Sequence, residues 1–171
     1  MEKVILVNEK DEEVGSEEKL LAHQKGLLHR AFSIFLFNSA GDMLIHKRAD
    51  GKYHSAGLWT NACCSHPRPS EQTHDAAIRR LSEELGLEAE LSFLFSFTYQ
   101  SEFDNGLTEH ELDHVFWGIS DKKPIPNEEE ISDFKYVAPD KLLKHIEEHP
   151  DEYTFWFKKI VERVLKQTPQ F

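Results

Sequence analysis

The sequence predicts a single mixed α/β domain in which a β-sheet is flanked by helices. Three observations predict this fold: short apolar and aromatic runs typical of strands, one well-bounded helix in mid-chain, and two helical segments near the end. With 171 residues, 39% hydrophobic and 30% charged, the chain is long enough to close one hydrophobic core. No repeat or linker divides it.

In the first half of the chain, strand candidates are separated by turn signals. "VILV" near the start is a short strand, and the polar segment 17–29 has some helical character. The segment 30–48 is predicted to be a hairpin, because "SAGD" supplies turn residues between two apolar runs. "LWTNACC" is extended, and Pro67 and Pro69 end it.

The clearest helix is predicted from Ser70 to Gly86. Ser70 or Thr73 can cap its start, and Gly86 supplies the left-handed residue that commonly ends a helix. Successive residues are about 100° apart, so Arg80 and Glu84 project side by side from one face. The buried stripe on another face is predicted to be Ile78, Leu81 and Leu85.

The second half holds further strands and the terminal helices. "LSFLFSFTY" and "HVFWGIS" are strands that flank an acidic loop over 100–113, and "FKYV" is another strand. "APDKLLKHIEEH" and a segment from about Tyr153 to Lys166 are helices, the second with the apolar stripe Trp156, Ile160 and Val164. We expect an N-terminal arm of about 1–28, a core of about 29–137 and C-terminal helices over 138–171.

Charge and cysteine content exclude several functions. Twenty Lys and Arg against 31 Asp and Glu give a net charge of −11, which disfavours nonspecific binding to nucleic acid or to anionic lipid. No apolar run approaches the roughly 20 residues of a membrane span, and the start lacks the basic flank of a secretory signal. Two adjacent cysteines cannot staple distant segments. We expect a cytoplasmic monomer that acts on a small molecule.

Strand alternation gives the cysteines different positions. Residues two apart face the same side of a strand, so Cys64 shares a face with His66, and Cys63 points the other way. Cys63 is then a buried small hydrophobe, whereas Cys64 is either the same or a reactive thiol. In the same way, Glu109 and Glu111 share a face if "TEHELDH" is extended, and are otherwise solvated acids.

Three larger sets of residues have both an ordinary and a functional interpretation. Imidazole and carboxylate groups suit a divalent metal, so five side chains are a candidate ligand set: His23, His29, His66, Glu109 and Glu111. Four cations are either surface charges or a phosphate pocket: Lys19, Arg48, Lys52 and Arg80. By pattern alone Tyr99 and Trp156 are core aromatics. Five histidines are expected to face solvent: His46, His54, His74, His145 and His149.

The predicted helix and the residues before it resemble the Nudix signature. Ser65, Glu71 and "RRLSEELGL" from Arg79 to Leu87 follow its spacing. Ser65 stands where the signature has Gly, and Arg80 stands where it has the first Glu of the metal-binding triplet. The second change removes a metal ligand and adds an anchor for a diphosphate, which disfavours hydrolysis and retains diphosphate binding.

Motifs along nearly the whole chain resemble the type I isopentenyl-diphosphate isomerases, which have a Nudix-like fold. The matching segments are "EKLLAH", "LLHRAFSIFLFN", "KR", "WTNACCSHP", "IRRLSEELG", "TY", "TEHELDH" and "WFK". Two features depart from this pattern: Phe155 stands where many members have Pro, and the "DGKYHSAG" loop lacks Pro before its Gly.

The resemblance implies a role for each set of residues. Cys64 and Glu111 would exchange protons with the substrate, with Tyr99 beside Glu111 and Trp156 over the hydrocarbon. Lys19, Arg48, Lys52 and Arg80 would bind the diphosphate, and Glu84 would hold Mg²⁺ against it. His23, His29, His66, Glu109 and Glu111 would bind a second divalent ion, Mn²⁺, Zn²⁺ or Mg²⁺.

The implied reaction interconverts isopentenyl and dimethylallyl diphosphate through a tertiary carbocation. It needs a dry site, an aromatic face for the cation and two proton-exchanging groups. The alternatives are a Nudix-type pyrophosphohydrolase and a non-catalytic module that binds metal and diphosphate. A zinc nucleobase deaminase is disfavoured, because "ACCSHP" lacks the His-x-Glu and Pro-Cys-x-x-Cys motifs.

Overall fold

The computed structural model describes residues 1–169, and its centre is one mixed β-sheet. The strands are β1 (Lys3–Val7), β2 (Glu13–Glu18), β3 (His29–Phe37), β4 (Met43–Arg48), β5 (Trp59–Thr60), β6 (Cys63–Ser65), β7 (Ser92–Glu102), β8 (Thr108–Ile119) and β9 (Ile131–Val137). The helices are α1 (Lys19–Lys25), α2 (Thr73–Leu85), α3 (Pro139–Glu148) and α4 (Phe155–Gln167), with a 3₁₀ turn at Pro150–Glu152.

Strand β3 is the hub of the sheet. It pairs parallel with β8 from His29↔Glu111 to Phe37↔Ile119, and antiparallel with β1, β4 and β6. Strand β8 also pairs with β7, and β4 pairs with β9, so β3 lies in the interior of the sheet with strands along both of its edges. The register of the parallel pair places His29 beside Glu111, and the pairing with β6 places Ser33 beside Cys64.

Two apolar cores cover the two faces of the sheet. Side chains from β3 alternate between them: Ile34 and Leu36 join a cluster with α2, whereas Phe35 and Phe37 join a cluster with α3 and α4. The first cluster includes Leu81 and Leu85 of α2, and the second includes the predicted stripe of α4, Trp156, Ile160 and Val164. The predicted fold, a mixed sheet flanked by helices in one domain, is confirmed.

Helix α2 ends as predicted but begins later. It starts at Thr73, and Gln72 precedes it without a side-chain cap, so the predicted cap at Ser70 or Thr73 is wrong. Ser70 instead has a positive φ of 68° in the turn before the helix. Gly86 ends the helix at φ 61°, where a Cβ would lie 3.1 Å from Cβ of Ile125.

The predicted buried stripe of α2 is wrong at one position. Ile78 is 38% exposed, whereas Leu81 and Leu85 are fully buried. The segment around Ile125 covers only the last turn of the helix, where the Ile125 N–H donates to the Leu85 carbonyl. Ile78 lies two turns earlier, and the small residues Ala76 and Ala77 take its place in the core.

The acidic loop predicted over 100–113 is also wrong. Strand β7 continues to Glu102, and β8 begins at Thr108, so only 103–107 form the turn. The polar residues of this stretch concealed the strands, because they face a cavity instead of an apolar core. The pairing Tyr99↔Glu111 belongs to this polar part of the ladder.

The remaining predicted elements are confirmed, with one addition. Segment 17–29 contains α1, 30–48 forms β3 and β4, and the extended "LWTNACC" contains β5 and β6. Strand β2 was not predicted, because its sequence "EVGSEE" is polar throughout. None of the described helices is long and apolar enough to cross a membrane. The three-part subdivision stays a prediction, and its last two residues lie outside the described chain.

Candidate active site

One cavity gathers most of the predicted site residues. Its walls come from the N-terminus, the start of α1, β3, β4, the loop 50–57, β6, α2, β7, β8, the residue before β9 and α4. Eleven of the predicted site residues line it: Lys19, Arg48, Lys52, Cys64, His66, Arg80, Glu84, Tyr99, Glu109, Glu111 and Trp156. His23 and His29 lie behind Glu111 and form a donor group with it and His66.

The histidine end of the cavity consists of His23, His29, His66, Glu109 and Glu111. The Nδ1 atoms of His23 and His29 lie 2.7 Å and 2.8 Å from the backbone carbonyls of Lys19 and Leu27. These bonds place the proton on Nδ1 and leave Nε2 as a lone pair. Both Nε2 atoms are buried, with no hydrogen-bond partner among the described residues.

The ring nitrogens of three histidines converge on Glu111. His66 Nε2 lies 2.9 Å, His29 Nε2 3.4 Å and His23 Nε2 4.0 Å from Oε1 of Glu111. Buried imidazole nitrogens aimed at one carboxylate oxygen fit a divalent ion by number and chemistry.

Tyr99 joins the two carboxylates of this end. Its hydroxyl donates to Oε2 of Glu111 at 2.8 Å and lies 3.1 Å from Oε2 of Glu109. Both acids project from β8 on the same face, so the predicted sharing of a face is confirmed. Burial and the neighbouring Glu111 raise the pKa of Glu109 to about 8. Burial also acts to raise the pKa of Glu111, but His66 and His29 outweigh it and hold that pKa well below its usual range.

The two cysteines face opposite sides of β6, as alternation predicts. Cys63 is fully buried in the core under α2, whereas Cys64 opens into the cavity with His66. The Cys64 thiol donates to Oδ1 of Asn61 at 3.1 Å, and the Ser33 hydroxyl lies 3.4 Å from Sγ. Burial, together with the buried Asp113, raises the pKa of the Cys64 thiol. Both cysteines are unpaired thiols.

The cation end of the cavity consists of Lys19, Arg48, Lys52 and Arg80. Three of these cations contact carboxylates: Lys19 Nζ lies 3.3 Å from Glu2, Lys52 Nζ 2.5 Å from Glu130, and Arg80 Nη2 2.5 Å from Glu84. The last contact confirms that Arg80 and Glu84 project together from α2. Glu84 is only 4% exposed, and Glu130 also lies 3.5 Å from Arg80.

Trp156 connects the cation end with the first turn of α4. The Arg48 guanidinium lies 5.3 Å from the centroid of the Trp156 ring, and its Nη2 donates to the His54 carbonyl. Trp156 is 3% exposed, whereas Phe155, the residue that departs from the family pattern, is 42% exposed. The Phe155 side chain therefore points outward and leaves Trp156 in the cavity wall.

Two of the five histidines expected in solvent are buried. His46 is 4% exposed, and its Nδ1–H donates to the Ala62 carbonyl, because β4 has neighbours on both sides. His54 is 9% exposed, and its Nε2 lies 3.0 Å from Oε1 of Glu109. His74 and His149 are exposed as predicted, and the half-buried His145 contacts the Tyr153 hydroxyl.

Sequence reasoning missed several polar residues of the site. Asp113 lies two residues after Glu111 on β8, so the alternation that predicted a shared face for Glu109 and Glu111 also applies to it. Its carboxylate accepts a 2.6 Å hydrogen bond from the Ser33 hydroxyl. Asn61 is held by the carbonyls of Ile34 and Cys63, which directs its Oδ1 to Cys64. For Glu2, Glu130 and His54 no local sequence pattern indicated the site.

Comparison with known proteins shows the family of this chain. Residues 27–157 match the model of the NUDIX domain family. A curated relative from Photorhabdus laumondii, Isopentenyl-diphosphate Delta-isomerase 2, is 52% identical over 96% of this chain and 93% of its own length. Isopentenyl-diphosphate Delta-isomerase 2 from Aromatoleum aromaticum is 49% identical over 96% of this chain and 87% of its own.

Solved structures share the fold. The DR0079 protein from Deinococcus radiodurans superposes with a TM-score of 0.75 at 26% identity, over 98% of this chain and 100% of its own. A MutT protein from Methanosarcina mazei superposes with a TM-score of 0.69 over 84% of this chain and 96% of its own, but at 16% identity this shows the fold alone. By its fold and its curated relatives, the chain belongs to the NUDIX domain family and, within it, to the isopentenyl-diphosphate Delta-isomerases.

Proposed function

We propose that the chain interconverts isopentenyl diphosphate and dimethylallyl diphosphate, in keeping with the names of its curated relatives. One observation carries the proposal: Cys64 and Glu111, supplied by different strands, line the same cavity as Trp156 and the cation end. A proton-exchanging pair, an aromatic wall and an anion-binding end are the three parts that this isomerisation needs.

The reaction moves a carbon–carbon double bond by one position. One proton is added to the terminal alkene carbon, the π electrons form the new C–H bond, and a tertiary carbocation results. A second proton then leaves the carbon next to the diphosphate-bearing methylene, and its bonding electrons form the new double bond. Cys64 and Glu111 are the two exchanging groups, and each donates in one direction the proton that it accepts in the other.

Tyr99 and Trp156 support this exchange. The Tyr99 hydroxyl contacts both Glu109 and Glu111 and holds the Glu111 carboxylate in one orientation. The indole of Trp156 presents a buried aromatic face, the best side chain for stabilising a carbocation without a nucleophile. A dry wall also prevents water from capturing the cation as an alcohol.

The cation end binds the diphosphate, whose binding energy positions the featureless hydrocarbon. Lys19, Arg48, Lys52 and Arg80 supply positive charge in a chain that is otherwise strongly acidic. Glu84, buried beside Arg80, would hold Mg²⁺ against the diphosphate.

The histidine end fits a second divalent ion, Mn²⁺, Zn²⁺ or Mg²⁺. The unpartnered Nε2 atoms of His23 and His29 and the contacts of His66 with Glu111 support it. A bound ion would supply positive charge that stabilises the two buried carboxylates. Glu109 and Glu111 would complete the set expected from the family resemblance.

We further propose a cytoplasmic monomer as the working form. Two unpaired cysteines suit a reducing compartment. Light scattering of the purified protein measures the oligomeric state: a mass near 19.9 kDa is expected, and a stable dimer contradicts it.

A pyrophosphohydrolase is the second candidate, because residues 27–157 match the NUDIX domain family. Arg80 argues against it, since a cation occupies a position where hydrolysis needs a metal-binding carboxylate. The protein is incubated with isopentenyl diphosphate, Mg²⁺ and Mn²⁺, and NMR of the products distinguishes isomerisation from hydrolysis. Dimethylallyl diphosphate without released phosphate is expected; phosphate release without isomerisation overturns the proposal in favour of hydrolysis.

A further inference from the structure

Asn61 lies in the short connection between β5 and β6 and is fully buried. Its Nδ2 donates to the backbone carbonyl of Ile34 at 3.0 Å and to that of Cys63 at 2.9 Å, so both amide hydrogens are used. A flipped amide would place its oxygen against two carbonyl oxygens, which cannot donate. The orientation of the amide is therefore fixed, and its Oδ1 faces Cys64 as an acceptor.

Two hydrogen bonds end on this Oδ1 atom. The Cys64 thiol donates to it at 3.1 Å, and the Thr60 hydroxyl donates to it at 3.0 Å. The Thr60 hydroxyl in turn accepts from the Thr154 hydroxyl at 2.8 Å. Thr60, Asn61 and Thr154 are each 0% exposed, so solvent does not compete for these bonds. A buried chain of hydroxyl and amide groups therefore reaches from Thr154 to the thiol.

Thr154 connects this chain to the helix that carries Trp156. It directly precedes α4, where a threonine hydroxyl commonly caps the helix. Helix α4 has no side-chain cap, and the hydroxyl of Thr154 contacts Thr60 instead, 94 positions earlier in the sequence. The Thr154 N–H also donates to the Trp59 carbonyl at 3.0 Å. The hydrogen bonds therefore link the thiol to the start of α4, two residues before Trp156 enters the cavity wall.

A structural role explains only part of these contacts. The two bonds from Nδ2 hold the connection between β5 and β6 against β3, and they do so whatever accepts at Oδ1. We propose that Asn61 is a positioning residue for the Cys64 thiol, and that Thr60 and Thr154 hold its Oδ1 in place. This inference rests on the proposed role of Cys64 in proton exchange, but the hydrogen bond itself is measured without substrate.

The hydrogen bond gives the Cys64 proton a defined starting point. The other polar neighbour of Sγ, the Ser33 hydroxyl, lies farther away at 3.4 Å, and its hydrogen is donated to Asp113. When Cys64 donates its proton, the S–H bond breaks, its electrons stay on sulfur as a thiolate, and the alkene π electrons form the new C–H bond. The reverse transfer restores the S–H bond. Asn61 gains and loses no proton and acts by holding Sγ in one place.

The S–H stretching vibration tests this contact directly, because its frequency falls when the thiol donates to an oxygen. All variants are made in a Cys63→Ala parent, so that the full chain has one thiol, and infrared spectra are recorded without substrate. Loss of the band in D₂O, where S–H becomes S–D, assigns it to Cys64. We expect a single band at the low frequency of a hydrogen-bonded thiol. A band at the position of a free thiol overturns the proposal.

Asn61→Ala is expected to shift the S–H band to higher frequency. Because Sγ is then less well placed, kcat is expected to fall roughly 10- to 100-fold, while KM for isopentenyl diphosphate changes less than about threefold. The matched control is Asn38→Ala, which removes an amide that accepts from the Asp42 N–H in the turn between β3 and β4 and is expected to change neither readout. An unshifted band in Asn61→Ala, or a shifted band with unchanged kcat, overturns the proposal.

Two variants of Thr60 keep the proposal testable if Asn61→Ala is poorly folded. Thr60→Val nearly keeps the shape of the side chain but removes the hydroxyl, so Oδ1 of Asn61 accepts from the thiol alone. The S–H band is then expected to shift to still lower frequency, and kcat is expected to fall roughly two- to tenfold. Thr60→Ser restores the hydroxyl and is expected to restore both readouts. A band or a kcat that is unchanged in Thr60→Val overturns the proposal.

Failure of the proposed function has a different signature. A wild-type chain that forms no dimethylallyl diphosphate in the NMR assay overturns the isomerase proposal, whereas the S–H band still shows whether Asn61 holds the thiol. Normal isomerisation together with a free-thiol band overturns the present inference alone.

Discussion

The two ends of the cavity hold their charges in different ways. At the cation end, Lys19, Lys52 and Arg80 each contact a carboxylate, so a diphosphate has to replace existing partners. At the histidine end, the Nε2 atoms of His23 and His29 are buried without hydrogen-bond partners among the described residues. A ligand at the cation end therefore competes with existing ion pairs. At the histidine end, the proposed divalent ion would bind to nitrogens that have no other partner.

This difference indicates that the cation end acts in substrate binding and the histidine end in the reaction itself. The cation end lies on α1, α2, the end of β4 and the loop 50–57, and three of its four side chains contact carboxylates. The histidine end includes residues of β3 and β8, whose parallel pairing fixes His29 beside Glu111. We therefore expect substitutions at the cation end to change KM and those at the histidine end to change kcat.

The largest effect is expected at the cysteine beside the histidine end. Cys64→Ala removes one of the two proposed proton-exchanging groups, and kcat is expected to fall by roughly 10³-fold or more, below easy detection. Cys63→Ala changes the core under α2 and removes the contact of the thiol with Glu84. It is expected to keep kcat within about threefold, at a cost of roughly 1 kcal/mol of stability. NMR of product formation measures the first, and urea unfolding the second. Equal loss of turnover in both variants contradicts the opposite facing of the two thiols.

A buried histidine outside the cavity should make the fold acid-sensitive. Burial lowers the pKa of His46 to about 4, from 6.5 as the ordinary value. The unfolded chain then binds more protons between pH 6.5 and 4, so stability is complete above pH 6.5 and falls as the pH drops through this window. The loss amounts to about 3 kcal/mol, from 1.36 kcal/mol per pKa unit.

Urea unfolding at pH 7 and pH 4 measures this loss. His46→Asn keeps a donor near Nδ1 but does not titrate, so its stability is expected to fall less over the same interval. An identical loss in wild type and variant would show that other groups cause the acid sensitivity. Because His46 contacts a backbone carbonyl and not a carboxylate, the result also separates it from the histidines of the site.

At the cation end, Lys52→Met tests diphosphate binding. A charged hydrogen bond contributes about 1.5–3 kcal/mol, so KM for isopentenyl diphosphate is expected to rise roughly 10- to 100-fold while kcat changes less than about threefold. Steady-state kinetics measures both. Lys144→Met, at a side chain that is 75% exposed on α3, serves as the control. A fall in kcat at unchanged KM would erase the contrast between the two ends.

The smallest effect concerns the carboxylate that contacts Lys52. Glu130→Gln removes the negative charge with which a diphosphate competes, and for a partly exposed ion pair we expect KM to fall about two- to fivefold. Glu129→Gln, at an exposed neighbouring position, is the control. A tenfold rise in KM would instead show that Glu130 positions Lys52 and Arg80 for the ligand.

Local periodicity predicted the strand-borne part of the site. The different facing of Cys63 and Cys64, and the shared face of Glu109 and Glu111, follow from a repeat of two residues and are seen in the structure. The side-by-side placement of Arg80 and Glu84 follows from the helical repeat in the same way. These relations hold within single elements, where neighbouring positions decide the geometry.

The unpredicted part depends on segments that are distant in sequence. Glu130 meets Lys52 across 78 positions, and Ser33 meets Asp113 across 80. His54 was expected in solvent, because its loop has no periodicity that would reveal a buried face. Ile78 was expected in the core, because the helical repeat does not tell how far the covering segment around Ile125 extends.

The most direct test of the account is proton exchange in D₂O. The full chain is incubated with isopentenyl diphosphate, Mg²⁺ and Mn²⁺, and recovered substrate and product are examined by NMR and mass spectrometry. We predict that, in the wild type, deuterium enters the terminal alkene carbon and the C2 methylene of isopentenyl diphosphate, and a methyl group and the vinylic C2 position of dimethylallyl diphosphate. Cys64→Ala is expected to show no conversion. Intact isopentenyl diphosphate without deuterium, recovered from a wild-type protein that binds both diphosphate and metal, would contradict the account.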